Sequence, residues 1–223
     1  MACETPTAPR PPMRRLAALR AAALAALVLG GGVTPGAATG HSTAFAPKGE
    51  AVAAPKGARG LCAAHPWACA ASETRSWNAR ALLTRARVVN ARVNRAVTEI
   101  SDKAQYGREE VWALPTARGG DCEDFALLKK RKLMTFGVEP ARLMIATVLD
   151  RQGRSHAVLL LRTDEGDLVL DNLVDSILPW DKTGYTFLRV QDPEAPARWR
   201  RVFAGGMLAD PPVAAASGAA ASR

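Results

Sequence analysis

A chain of 223 residues with 48% hydrophobic content can hold one ordinary domain, and it is too short for several. The formal net charge of +9 would suit a nucleic-acid partner, but the basic residues are scattered, and losing residues 1–46 removes four arginines and one glutamate and lowers the charge to +6. The one dense run, Lys129-Lys130-Arg131-Lys132, reads as a solvated face at the C-terminal end of a helix, where cations suit the dipole, so no nucleic-acid partner is expected.

In chain order, Met13-Arg14-Arg15-Leu16 leads into the apolar run 21–29, the basic and apolar regions of a secretory signal. Ala44-Phe45-Ala46 offers a small-x-small cleavage site, and Gly36-Ala37-Ala38 is an earlier option. The apolar run is short for a membrane span, although an uncleaved anchor stays open. Residues 1–46 are thus expected to be a signal peptide, and 47–60, rich in Gly, Ala, Pro and Lys, a flexible linker. Residues 61–203 form the domain, and 204–223 an Ala/Gly/Ser tail without order.

Export opens a disulfide-permissive compartment. Without the leader, which holds Cys3, the cysteines are Cys62, Cys69 and Cys122. Cys62 and Cys69 are close enough to staple one turn, and the compartment favours a disulfide; the competing reading makes Cys62, His65 and Cys69 metal ligands, without an evident fourth. Cys122 is then the odd thiol.

From Ser76 to Ser101 the apolar residues Ala86, Val89, Val93, Val97 and Ile100 recur at three and four, which predicts a helix. Tyr106-Gly107 ends it, and Trp112 to Pro115 is an irregular connection. A second helix is expected over 121–136, with Asp121 as its cap, Glu123 and Asp124 at its positive end and Gly137 as its stop. At 100° per residue, Cys122 shares an inward arc with Phe125, Ala126, Leu133 and Phe136. After Pro140 the period changes to that of strands: 143–149, 156–161 and 167–171, separated by turn residues, then 185–190 and a short strand with Trp199 and Val202. Helices followed by an antiparallel sheet give an α+β fold.

Within this frame, Gly119-Gly120-Asp121-Cys122-Glu123-Asp124 raises a chemical question, because carboxylates disfavour a neighbouring thiolate. A thiol has a pKa of about 8.5 and needs a base or a positive field to react at neutral pH. The helix N-terminus supplies part of that field, and the glycines would let backbone N–H groups approach a substrate. Cleavage at Ala46 leaves His65 and His156 as candidate bases; His156 starts a strand downstream of the Cys122 helix and is the better one. Asp171 stands near the end of the next strand, where a carboxylate could fix the imidazole tautomer. If Asp164-Glu165 is a two-residue loop, Val158 faces Asp171 and His156 is its diagonal neighbour on the same face. A bulge at Gly166 would instead put His156 and Asp171 on opposite faces. The bland alternatives are a core cysteine, a structural histidine and plain capping acids.

Gly120-Asp121-Cys122-Glu123-Asp124-Phe125-Ala126, His156-Ala157-Val158-Leu159 and Leu170-Asp171-Asn172-Leu173 resemble the three signature blocks of the bacterial transglutaminase-like cysteine peptidases of the LapG type. Cys62, Pro66 and Cys69, Val93-Asn94, and Trp112 with Pro115 fit the same pattern, and the resemblance runs from about Leu61 to Tyr185. It implies a papain/transglutaminase-like fold, a helical lobe packed on an antiparallel sheet with the catalytic cysteine at a helix N-terminus. It also implies a catalytic triad of Cys122, His156 and Asp171, and calcium bound by Asp121, Glu123 and Asp124. The implied activity is that of a periplasmic endopeptidase that releases a large surface adhesin by cutting its N-terminal region near Ala-Ala. An inner-membrane cyclic-di-GMP receptor that sequesters the protease is the implied regulator.

Two other functions stay open on the residues alone. One is amide exchange, as in a transglutaminase or a peptidoglycan peptidase, since a triad does not dictate the acceptor. The other is a non-enzymatic calcium-binding envelope protein. Nothing in the sequence calls for an obligate assembly, so a monomer is expected.

Overall fold

A computed structural model describes residues 44–71 and 78–208. Of the expected signal peptide 1–46, residues 1–43 lie outside the described residues, as does the tail from 209 onward; Ala44 and Ala46 instead hydrogen-bond Asp167 and belong to the fold. Among the described helices none is long and apolar enough to cross a membrane.

Helices and sheet form two layers. The helices are α1 (Leu61–Ala64), α2 (Ala79–Ala96), α3 (Asp102–Tyr106) and α4 (Cys122–Thr135). The strands are β1 (Ala51–Val52), β2 (Leu143–Leu149), β3 (Ser155–Arg162), β4 (Asp167–Leu170), β5 (Leu178–Pro179), β6 (Thr186–Gln191) and β7 (Trp199–Ala204). They make one antiparallel sheet in the order β1-β7-β6-β2-β3-β4-β5. Strand alternation divides the core. Leu143, Ile145, Leu159 and Leu161 face α2 and α4, while Met144, Ala146, Val148, Val158 and Leu160 pack on the other side against Trp180, Tyr185 and Phe187. This bears out the α+β class.

Several boundaries differ from expectation for physical reasons. The 47–60 segment is not a plain linker: Ala51 and Val52 pair with Arg200 and Trp199, and Ala58 is buried in the helix-side core. Residues 204–208 also belong to the fold, since Met207 N donates to Thr186 Oγ1. The helix expected to run to Ser101 stops at Ala96. Residues 98–100 instead pair with the glycine pair, Gly120 N donating to Thr98 O and Ile100 N to Gly120 O. Phe136, expected to point inward, lies beyond the end of α4 and is exposed. The lysine run is not wholly solvated either: Lys129 and Lys130 are fully buried, and only Arg131 and Lys132 face solvent.

Candidate active site

Cys122 is the first residue of α4. The turn before it is built by the glycine pair. Gly119 has φ +130°, and a Cβ there would meet Thr98 O at 2.0 Å; one on Gly120 would meet Asp124 Oδ2 at 2.6 Å. Glycine is therefore required for close packing. Both glycine N–H groups are engaged within the turn, Gly119 N on Thr116 O and Gly120 N on Thr98 O. The N–H of Cys122 itself lies in the first turn of α4, where the helix supplies no intrahelical acceptor.

The Cys122 sulfur accepts the Ala157 N–H at 3.0 Å and lies 3.4 Å from Glu123 Oε2. In the β3–β4 ladder the Ala157 N–H points toward the β4 side, and β4 ends at Leu170, so the sulfur takes the place of a strand partner. Cys122 is disulfide-bonded in this structure, so the thiol chemistry below belongs to the reduced protein. The expected Cys62–Cys69 disulfide is present, and His65 is not sharing a metal with those sulfurs.

The β3–β4 register pairs Leu159 with Leu170 and Arg162 with Asp167. Thr163 N donates to Gly166 O across the two-residue loop 164–165, and no bulge intervenes. His156 and Asp171 therefore share a face, with His156 Nε2 at 2.9 Å from Asp171 Oδ1. Asp171 Oδ1 also accepts the Leu173 N–H, and Oδ2 accepts the Tyr185 hydroxyl in a short hydrogen bond. Burial acts to raise the Asp171 carboxyl, but the bonds from His156, Tyr185 and Leu173 outweigh it, and the net shift is downward. From α2, Asn94 Nδ2 donates to the Asp171 carbonyl at 2.9 Å and to Asp175 Oδ1, clamping the 171–175 loop. With Nε2 on Asp171, the other imidazole nitrogen, Nδ1, is the one left for a thiol.

The acids behind the sulfur are arranged differently from the expected set. Oxygens of Asp102, Asp121 and Glu123, all buried, lie within 4.8 Å of one another. Asp121 makes no cap bond to its own helix; its Oδ2 accepts the Asp102 N–H at 3.3 Å. Asp124 does not join that group: its Oδ1 accepts the Ala113 N–H at 2.9 Å and its Oδ2 lies against Gly120. Burial raises all four carboxyls: Asp121 to about 6, with Asp102 the next cause, Asp124 to about 8, Glu123 well above its usual value with Asp121 next, and Asp102 upward. Asp102 Oδ1, Asp121 Oδ1 and Asp124 Oδ2 are buried without a hydrogen bond among the described residues. Clustered, desolvated carboxylate oxygens of this kind suit a hard cation such as calcium.

Sequence reasoning missed Asp102 and Tyr185. Neither has a local signal, since each reaches the site from a segment outside the Cys, His and Asp blocks.

The sequence model of the bacterial transglutaminase-like cysteine proteinases (BTLCP) matches residues 48–206. Among solved structures, calcium-bound LapG of Legionella pneumophila is similar at 23% identity over 56% of this chain and 71% of that one, with a TM-score of 0.47. The EGTA-treated form of that protein is similar at 25% identity over 49% and 62%, with a TM-score of 0.43. No curated protein matches the chain.

Proposed function

The chain belongs to the bacterial transglutaminase-like cysteine proteinase family, and on that premise we propose that it is a calcium-dependent cysteine endopeptidase of the periplasm. Cys122 is the nucleophile, His156 the general base and acid, and Asp171 the group that orients the imidazole. The observation that carries this reading is the buried His156–Asp171 bond beside Ala157, whose N–H holds the Cys122 sulfur.

In the reduced protein, Nε2–H of His156 donates to Asp171, so the Nδ1 lone pair accepts the thiol proton. The thiolate adds to the scissile carbonyl, and the Cys122 N–H is one donor to the oxyanion. Collapse of the tetrahedral adduct breaks the C–N bond, and the imidazolium gives its proton to the leaving amine. Water, deprotonated by the same imidazole, then hydrolyses the thioester and restores the thiol.

Calcium held by Asp102, Asp121 and Glu123 supplies positive charge that offsets the carboxylates beside the sulfur. The leader directs export, and its removal takes away Cys3 and leaves Cys122 as the odd cysteine beside the Cys62–Cys69 pair. The substrate is the N-terminal region of a large adhesin, cut near Ala-Ala, and an inner-membrane cyclic-di-GMP receptor controls access to it.

Reduced protein with calcium is expected to cleave an Ala-Ala adhesin segment, as read by mass spectrometry. Cys122→Ala should abolish cleavage, and excess EGTA should lower it reversibly. Cleavage that survives Cys122→Ala would sink the nucleophile assignment. Incorporation of a primary amine without hydrolysis would move the assignment to amide exchange.

A further inference from the structure

We propose that Tyr185 is a positioning residue of this site: its hydroxyl fixes the Asp171 carboxylate, and its ring fixes the His156 imidazole that the carboxylate holds. The inference rests on the triad reading of Cys122, His156 and Asp171.

A carboxylate anchored through one oxygen can still rotate about its Cβ–Cγ bond. Asp171 Oδ1 carries two donors, His156 Nε2 and Leu173 N, and Oδ2 accepts the Tyr185 hydroxyl. With both oxygens held, the carboxylate plane is set, and with it the line along which Nε2 must lie. The Tyr185 ring meets the His156 ring edge-on, with centroids 5.8 Å apart and planes at 86°. That contact opposes tilting of the imidazole and shields the His156–Asp171 bond, since all three side chains are buried.

Tyr185 is itself delivered by a built turn. Thr183 Oγ1 accepts the Tyr185 N–H and donates to Trp180 O, and Gly184 takes φ +74°, which a side chain would strain. The phenol is not a proton source for the reaction. It already donates to Asp171, and burial together with that carboxylate raises its pKa.

Tyr185→Phe keeps the ring and removes only the donor. On a fluorogenic Ala-Ala peptide, kcat is expected to fall about tenfold or more, with KM held within about twofold. In an Asp171→Ala background the same substitution should change nothing further, because the hydroxyl acts through that carboxylate. An unchanged kcat, or an equal loss in the Asp171→Ala background, overturns the proposal.

A second readout needs no substrate. In reduced protein with labelled histidine, the His156 Nε2–H proton should exchange with solvent several-fold faster in Tyr185→Phe than in the wild type, and equal exchange overturns the proposal. If exchange responds while the wild type hydrolyses no peptide, the positioning stands and the peptidase reading falls. Should Tyr185→Phe fail to fold, 3-fluorotyrosine in a Tyr106→Phe chain labels Tyr185 alone, since the chain has two tyrosines. The stronger donor should slow the His156 exchange, and unchanged exchange overturns the proposal.

Discussion

At the scale of single residues, Asp102 and Asp124 separate two meanings of a buried acid. Each has one oxygen on a backbone N–H and the other buried without a hydrogen bond among the described residues, but Asp102 groups with Asp121 and Glu123, whereas Asp124 turns its Oδ2 to Gly120. Asp102→Asn removes a charged ligand and is expected to weaken calcium binding about tenfold or more. Asp124→Asn keeps an acceptor for Ala113 and should leave calcium affinity within about twofold. Calorimetry with calcium alone checks both, and equal losses would overturn the grouping. The contrast also shows what a sequence can disclose about a site. His156 and Asp171 were readable as a pair only on condition of a two-residue loop, and the structure supplies that loop and so places both on one face. Asp102 lies 19 positions before Asp121, and nothing local says that residues 98–100 will fold back on Gly120 to bring them together.

At the scale of elements, α4 serves the site at its first turn and the core along its length. Lys129 and Lys130 are buried there, and burial lowers both pKa values to about 7. Among the described residues, Lys130 Nζ donates to Gln191 Oε1 at 3.0 Å. A lysine with a depressed folded pKa is bound to its proton more tightly in the unfolded chain, so stability rises with pH between about 7 and about 10.5. Lys130→Met removes that linkage. Its stability relative to wild type should grow as pH falls from about 10 to about 7 and then level off, by an amount on the order of a few kcal/mol. Urea denaturation across that range checks it, and a pH-independent difference would contradict the burial argument. A basic run is ordinarily a solvated face, and only the packing of α4 on the sheet and on the Gln191 side chain reveals otherwise. The long strands and α4 were legible because their apolar periods are several residues long. Strands β1 and β5, two residues each, are too short to carry a period.

At the scale of the whole molecule, the N-terminal segment ties down both flanks of the sheet. Asp167 N donates to Ala44 O at 2.8 Å, and Ala46 N donates to Asp167 Oδ2 at 3.0 Å. The same buried carboxylate holds Arg162, whose guanidinium lies over the Phe45 ring. A few residues later, Ala51 and Val52 add an edge to β7. A leader cut after Ala46 would remove residues 44–46 and lose two hydrogen bonds, one between backbone groups and one to the Asp167 carboxylate. Hydrogen bonds of this kind contribute about 1 kcal/mol each, and those to charged groups about 1.5–3 kcal/mol, so the loss is roughly 2–4 kcal/mol. If the chain is exported as proposed, stability thus favours cleavage upstream of Ala44, as at Gly36-Ala37-Ala38. Intact mass measurement of periplasmic protein should find a first residue at or before Ala44. A chain made to begin at Pro47 should unfold at lower urea than one beginning at Thr39, and equal midpoints would show that the segment is dispensable to the fold.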